Sequence, residues 1–350
     1  MEFAIDSATG KCSLTQTGLI DKIIKMAGME DGNYKYTPAD KVPLGPSDDD
    51  PPHDESWSYA SMIGCLNYLA NNSRPDIQFA VHQCARYTHS PKKSHTQAVK
   101  RIIRYLLGTR DKGLILSPTK EITLDMYADA DFAGMWNSNA PEQDPVRVKS
   151  RSGHVILLGN CPLLWSSKLQ TETACSTMEA EFIALSSAMR DLIPARHILQ
   201  AVGTALSLHI PAGAQLKSTV FEDNMGCLTL ATIPKMTPRS KHIAVKYFWF
   251  RSQVGPEHGI TIVKCDTKDM LADIFTKGLA ADQFSVLRAM LMGWTSAREG
   301  VSQDKPMGKG LMGYIYEYVQ KYGRASLNNP LPSQERASTI STSSTMFGGN

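Results

Sequence analysis

The spacing of apolar positions changes period near residue 121. Before it, Met1, Phe3 and Ile5 alternate, Ser7-Ala8-Thr9-Gly10 carries turn residues and 11–14 returns, which predicts a hairpin. A strand starting at the first residue gives the expectation that the chain begins inside a larger fold. Leu19, Ile20, Ile23, Ile24 and Ala27 then repeat at helical spacing and stop at Gly28. Residues 38–56 hold five prolines and the run Asp48-Asp49-Asp50, a breaker-rich loop. Three helices follow. Tyr59, Met62, Ile63, Leu66 and Leu69 mark the first. Pro75, suited to a first helical position, opens the second, with Ile77, Ala80, Val81 and Cys84. Ala98, Val99, Ile102, Ile103, Leu106 and Leu107 mark the third, stopped by Gly108.

Past residue 121 strands appear. Ile122 to Gly134 alternates, placing Asp125, Tyr127, Asp129 and Asp131 on one face and Leu124, Met126 and Ala128 on the other. A polar loop covers 135–152, then strands are predicted at 154–158 and 162–167 and a long helix at 177–202. A strand at 218–222 precedes a short helix at 224–232, and a basic-aromatic helix spans 239–254. The strand at 260–264 is followed by helices at 268–279 and 282–292. Strands interleaved with helices in this way predict an α/β sheet covered by helices. Beyond Trp294 one further helix is predicted at 311–322, and the Ser/Thr-rich stretch 337–345 lacks the apolar residues to bury a core.

Composition narrows the setting. At 350 residues with 42% apolar content the chain can fill the cores of two domains. A net charge of +3 is small, so affinity for nucleic acid must come from local patches. The seven cysteines form no C-x-x-C pair, which argues against a zinc cage and for a reducing, intracellular setting in cytoplasm or nucleus. No apolar run reaches the ~20 residues of a membrane span, so no membrane partner is expected.

The candidate chemistry lies in carboxylates. Two acids on one strand face repel unless a cation sits between them, which makes Asp129 and Asp131 candidate ligands; a solvated edge strand is the alternative. Ser176 and Glu179 form a capping box, whereas Glu181 is not needed for the cap. It lies beside the apolar stripe Met178, Leu185, Met189 and Leu192, as a metal ligand or as a rim residue reaching water. Asp223 ends a strand and begins a helix, as a helix cap or as a site residue at a strand terminus. Asp273 stands in an apolar turn, Leu271-Ala272-Asp273-Ile274-Phe275, where an unpaired acid is costly. Hydrolysis of a phosphodiester needs an activated water and a stabilised leaving oxygen. Two divalent ions in a carboxylate cage supply both.

As an ordered set the motifs resemble the ribonuclease H domain of Ty1/copia-type retrotransposon Pol polyproteins. They are Tyr127-Ala-Asp-Ala-Asp-Phe-Ala-Gly134, Ser150-Arg-Ser-Gly-His154, Trp165-Ser-Ser-Lys168, Ser176-Thr-Met-Glu-Ala-Glu-Phe-Ile-Ala-Leu185, Glu222-Asp-Asn224, Ser240-Lys-His-Ile243 and Leu271-Ala-Asp-Ile-Phe-Thr-Lys277. Upstream, Ile63-Gly-Cys-Leu-Asn-Tyr-Leu69, Ser73-Arg-Pro-Asp-Ile77 and Arg104-Tyr-Leu-Leu-Gly-Thr109 resemble the region that joins the polymerase palm to that domain. The resemblance implies a mixed five-stranded sheet flanked by helices, preceded by a mainly helical thumb/connection-like region. It divides the chain into 1–118, the end of a reverse transcriptase; 119–294, the ribonuclease H-like domain; and 295–350, a divergent tail.

It further implies that Asp129, Glu181, Asp223 and Asp273 are catalytic and hold two magnesium ions, with manganese as a substitute and Asp131 as an additional candidate ligand. The implied reaction is cleavage of the RNA strand of an RNA–DNA hybrid; an inactive relic that only binds nucleic acid is the alternative. The phosphates would be met by Arg147, Lys149 and Arg151, by Arg239, Lys241, His242 and Lys246, and by a basic stripe of Lys100, Arg101 and Arg104. The loop before the last helix, Cys265-Asp266-Thr267-Lys268, lacks the histidine found there in many ribonucleases H. The adjacent aspartates of a polymerase hairpin are also missing: Ala130 separates Asp129 from Asp131, and Asp48-Asp49-Asp50 sits in a proline-rich loop without strand context. The expected polymerising partner is therefore a palm or another polyprotein part.

Overall fold

A computed structural model describes residues 1–46, 49–54, 56–119, 121–136, 145–232 and 247–294, with the side chains of 145 and 146 left aside. Strands β1 (Glu2–Ile5) and β2 (Cys12–Thr15) form the expected hairpin, and α1 is Thr17–Met26. The three predicted helices are α2 (Tyr59–Asn72), α3 (Gln78–Ala85), entered through a 3-10 turn whose first residue is Pro75, and α4 (Lys93–Leu107). A strand absent from the sequence reading, β3 (Leu114–Leu116), pairs with β2 and completes a small antiparallel sheet.

The second sheet has five strands: β4 (Leu124–Asp131), β5 (Arg151–Leu158), β6 (Cys161–Leu169), β7 (Ser218–Glu222) and β8 (Ile260–Lys264). Its order is β6-β5-β4-β7-β8. The first three run antiparallel; β4, β7 and β8 are parallel. This is the mixed five-stranded sheet that the resemblance implies. The acidic strand β4 is central rather than a solvated edge, and its alternation reflects burial on both faces. Leu124, Met126 and Ala128 pack under α5 (Thr177–Ala205) and α6 (Met225–Thr232). Tyr127 turns to the opposite face, which α7 (Asp273–Thr276) and α8 (Ala281–Met292) help to cover. The helix expected over 268–279 is thus shorter, a 3-10 turn at Thr267–Asp269 followed by the single turn of α7. Of the helix expected over 239–254, Trp249–Gln253 is a 3-10 helix and 239–246 lie outside the described residues, as does all of 295–350.

The core does not stop at residue 118. One apolar cluster joins α1, α2, α3 and α4 to Val155 and Leu157 of β5 and to α7 and α8. Polar bonds cross the same boundary. The wholly buried Arg74 makes a two-pronged ion pair with Asp76 (2.9 and 2.8 Å) and donates to Thr109. Trp294 lies 5.5 Å from the Arg74 guanidinium and donates to the Gly113 carbonyl (2.7 Å). Trp165 of β6 donates to the Ala70 carbonyl at 3.0 Å. The helical region therefore serves as part of the layer on one face of the sheet.

One glycine positions the site. Gly153 of β5 pairs with Asp129 of β4, and a Cβ there would stand 2.7 Å from both Phe275 Cβ and Thr276 Cγ2. Only the bare backbone of Gly153 lets α7 lie this close to the end of β4.

Candidate metal centre

Parallel pairing between β4 and β7 ends at Met126↔Val220 and Tyr127↔Phe221, where the Tyr127 and Phe221 rings stack with centroids 4.3 Å apart. Asp129 and Asp223 each follow two residues later, so they meet where two parallel strands separate at their carboxyl ends. Ligand sites of open α/β sheets lie at such points. Asp125, on the same face of β4 as Asp129, takes a structural part, accepting from the Thr219 amide of β7 at 2.9 Å.

Glu181 reaches the same place from the first turns of α5. Ser176 caps that helix, accepting from the Glu179 amide (3.2 Å), while Glu179 accepts from the Cys175 amide (2.7 Å). Relieved of capping, the buried Glu181 accepts from the Ala130 amide at 2.7 Å. It is thus buried rather than a rim residue. Asp223 is relieved in the same way, because Asn224, not Asp223, receives the Cys227 amide (3.0 Å) at the start of α6. Its bond comes from the Thr267 hydroxyl at 2.9 Å. Ligand atoms of Asp129, Glu181 and Asp223 all lie within 4.8 Å of one another.

The other two acids stand apart from this trio. Asp273, buried at the start of α7, pairs with Lys277 at 2.8 Å. The Lys277 ammonium also lies 3.6 Å from Asp129 Oδ2, which accepts from the Thr276 hydroxyl as well. Asp131 shares the face of Asp129, but its carboxylate folds against its own turn, where a Cβ on Gly134 would lie 1.7 Å from Oδ2.

Sequence reasoning missed Glu222. It is wholly buried, its Oε1 accepts from the Asn224 amide (3.1 Å), the Cys227 thiol lies against the carboxylate, and Oε2 meets no hydrogen-bond geometry among the described residues. The signal was present: Ser218, Val220 and Glu222 alternate in phase along β7, so a carboxylate occupies a position of the buried face. Such an orphaned oxygen beside three further carboxylates fits a cation-binding site.

The electrostatics agree. Burial, then repulsion from Asp129, Glu222 and Asp223, drives Glu181 far above the ordinary carboxylate range. Burial pushes Glu222 up to about 8, and burial with the Asp129 charge pushes Asp273 up to about 7. The folded, metal-free chain therefore retains protons that the unfolded chain releases above the ordinary value of 4.5 for a glutamate. Stability contributed by these acids is fully present below that value and declines as the pH rises toward the folded values. The denaturation midpoint in chelator should fall between about pH 5 and 8, and a divalent cation should restore more stability at the upper end.

The proposed phosphate contacts divide. Arg151 is not exposed; it is the first residue of β5, buried, donating to His82 (2.9 Å) and Ser167 (3.2 Å) and set over the Phe79 ring. Burial lowers its pKa to about 10. Arg101 is engaged with Asp40 (2.7 Å) and Thr37, holding the 37–40 loop to α4. Arg147 donates to the Pro46 carbonyl at 3.4 Å. Lys100, Arg104 and Lys149 are half-buried. Arg239, Lys241, His242 and Lys246 lie outside the described residues. Of the aromatic run, Tyr247 and Phe250 are core, while Trp249 is exposed and donates to Ser186.

The sheet and its helices define a ribonuclease H-like fold with a carboxylate cluster where its parallel strands part. The chain is 35% identical over 226 residues to the retrovirus-related Pol polyprotein from transposon RE2 of Arabidopsis thaliana, covering 65% of this chain and 14% of that protein. It is 33% identical over 233 residues to that from transposon TNT 1-94 of Nicotiana tabacum, covering 67% and 16%. These relatives, 33–35% identical over about two thirds of this chain, are Pol polyproteins of copia-type transposons, and the chain spans about one-seventh of their length. LC11-RNase H1, isolated from compost by a metagenomic approach, is similar over 45% of this chain and 94% of its own, at 20% identity and a TM-score of 0.29. No family model matches the chain. Among the described residues no helix is long and apolar enough to cross a membrane.

Proposed function

We propose that this chain is the ribonuclease H part of a copia-type polyprotein and cuts the RNA strand of RNA–DNA hybrids. The observation that carries the reading is the convergence of Asp129, Glu181 and Asp223 to within 4.8 Å at the ends of two parallel strands. Hard carboxylate oxygens at that spacing suit magnesium, or manganese in its place, and two ions in one site are the arrangement that the resemblance implies. When bound, such ions lower the pKa of a water and neutralise charge on the leaving oxygen. The chain itself supplies the cage. Asp129 and Asp223 come from adjacent strand ends, Glu181 is steadied by the Ala130 amide, and Asp273 stands behind through Lys277. We assign the catalytic role to these four acids. The hybrid would be held by its phosphates and 2′-hydroxyls, with Lys100, Arg104 and Lys149 as the described candidates.

In this reading residues 119–294 carry the nuclease, 1–118 the end of a reverse transcriptase that is packed onto it, and 295–350 a tail without an assigned role. A palm or another polyprotein part is the expected partner, in cytoplasm or nucleus. The test is a hybrid labelled on one strand at a time. The expected outcome is magnesium-dependent shortening of the RNA strand with the DNA strand intact. Equal cutting of both strands, or binding without cutting, sinks the assignment.

A further inference from the structure

Of the four acids at the centre, Asp129 and Asp273 already share a cation. The Lys277 ammonium sits 2.8 Å from Asp273 and 3.6 Å from Asp129 Oδ2, between the trio and the acid left outside it. It is not a chance surface pair. Lys277 lies one helical turn after Asp273, is about one-third exposed, and ends the α7 segment that Gly153 admits to the strand end. The neighbouring Thr276 hydroxyl occupies the same oxygen of Asp129. Gly278, next in the chain, is fixed from the other side, since a Cβ there would stand 1.9 Å from the Asp40 carbonyl. The lysine is therefore placed by packing on both sides.

We infer that Lys277 is a built-in cation that occupies the second metal position of the substrate-free protein, so that the resting centre takes up one divalent ion, at Asp129, Glu181 and Asp223. An ammonium balances Asp129 and Asp273 without a metal, and a divalent ion entering between those two acids must first displace it. Glu181 and Asp223 pair with no cation among the described residues, the Lys277 and Thr276 contacts of Asp129 both fall on Oδ2, and beside the trio Glu222 Oε2 is buried without a hydrogen bond. The first ion thus goes to the trio. Lys277 is a positioning residue that sets when the second site opens. This inference rests on the carboxylates being a metal centre, as proposed above.

The test counts ions rather than products. Manganese is titrated into the full chain without nucleic acid and followed by paramagnetic resonance. One tight ion is expected for the unaltered chain and for Lys277→Arg, and two for Lys277→Met. Lys277→Gln provides a second neutral variant should Lys277→Met not fold. Two tight ions in the unaltered chain, or a single ion in both folded neutral variants, overturns the inference and leaves the metal centre standing. No bound ion in any of these proteins removes the metal centre itself.

Discussion

Asp129→Asn is expected to lower hybrid cleavage by ~10³-fold or more, while the protein remains folded. The aspartate is one of three acids within 4.8 Å and the only one of them also within reach of Lys277 and Thr276. Losing its charge weakens the hold on a divalent ion, and a deficit of ~4 kcal/mol in stabilising the transition state corresponds to about that factor. Stability should move little. The asparagine oxygen still accepts from Thr276, and removing one of several crowded negative charges relieves Glu181 and Asp273, whose protonation Asp129 favours. Circular dichroism and a urea midpoint, measured with the cleavage rate, separate the two effects. An unfolded variant would make Asp129 a structural residue, and an undiminished rate would remove it from the centre.

Arg74→Ala is expected to cost about 3–5 kcal/mol, the range for breaking a buried ion pair by removing one partner. Arg74 is wholly buried, bound twice to Asp76, bonded to Thr109 and set against Tyr105 and Trp294. Truncation leaves the Asp76 carboxylate in the core without its cation and, among the described residues, with the Tyr105 hydroxyl as its remaining side-chain donor. Since the same cluster carries α7, the loss should reach the carboxylates beside Thr276 and Lys277 as readily as the helices around residue 74. Urea unfolding followed by the tryptophans should show one transition at a lower midpoint. Two separate transitions, with the ribonuclease H-like sheet unchanged, would mean that the regions on either side of residue 118 are independent.

Much of the site was legible because its residues break local patterns. Asp129 alternates with buried Leu124, Met126 and Ala128, Glu181 borders an apolar stripe, and Asp273 is an acid inside an apolar turn. Of these, Asp273 stands where local pattern alone requires burial, whereas Asp129 and Glu181 only adjoin apolar positions and are shown to be buried by the fold. Glu222 falls on the buried face of β7 by alternation with Ser218 and Val220, a signal only five residues long. What local pattern could not give was partnership. Arg151 sits in a polar stretch and reads as exposed; it is buried because Phe79 and His82 of α3, some seventy residues earlier, close over it. Lys277 stands one turn from Asp273 and could have been paired with it, but its contact with Asp129 depends on the close approach at Gly153. The apolar faces of α2, α3 and α4 were plain, whereas their packing against α7, α8 and the sheet is a long-range outcome that periodicity does not encode. β3, three residues long, is too short to show a period.

The most direct test is the chemistry of the cut. The full chain is incubated with an RNA–DNA hybrid and magnesium, and the ends of the RNA fragments are identified. Attack by an activated water leaves a phosphate on one new end and a hydroxyl on the other, with the 2′-hydroxyl untouched. The account predicts 5′-phosphate and 3′-hydroxyl ends that vanish in chelator and in Asp129→Asn. Intact RNA in the presence of folded, metal-loaded protein, or cyclic phosphate ends that persist without metal, would contradict it.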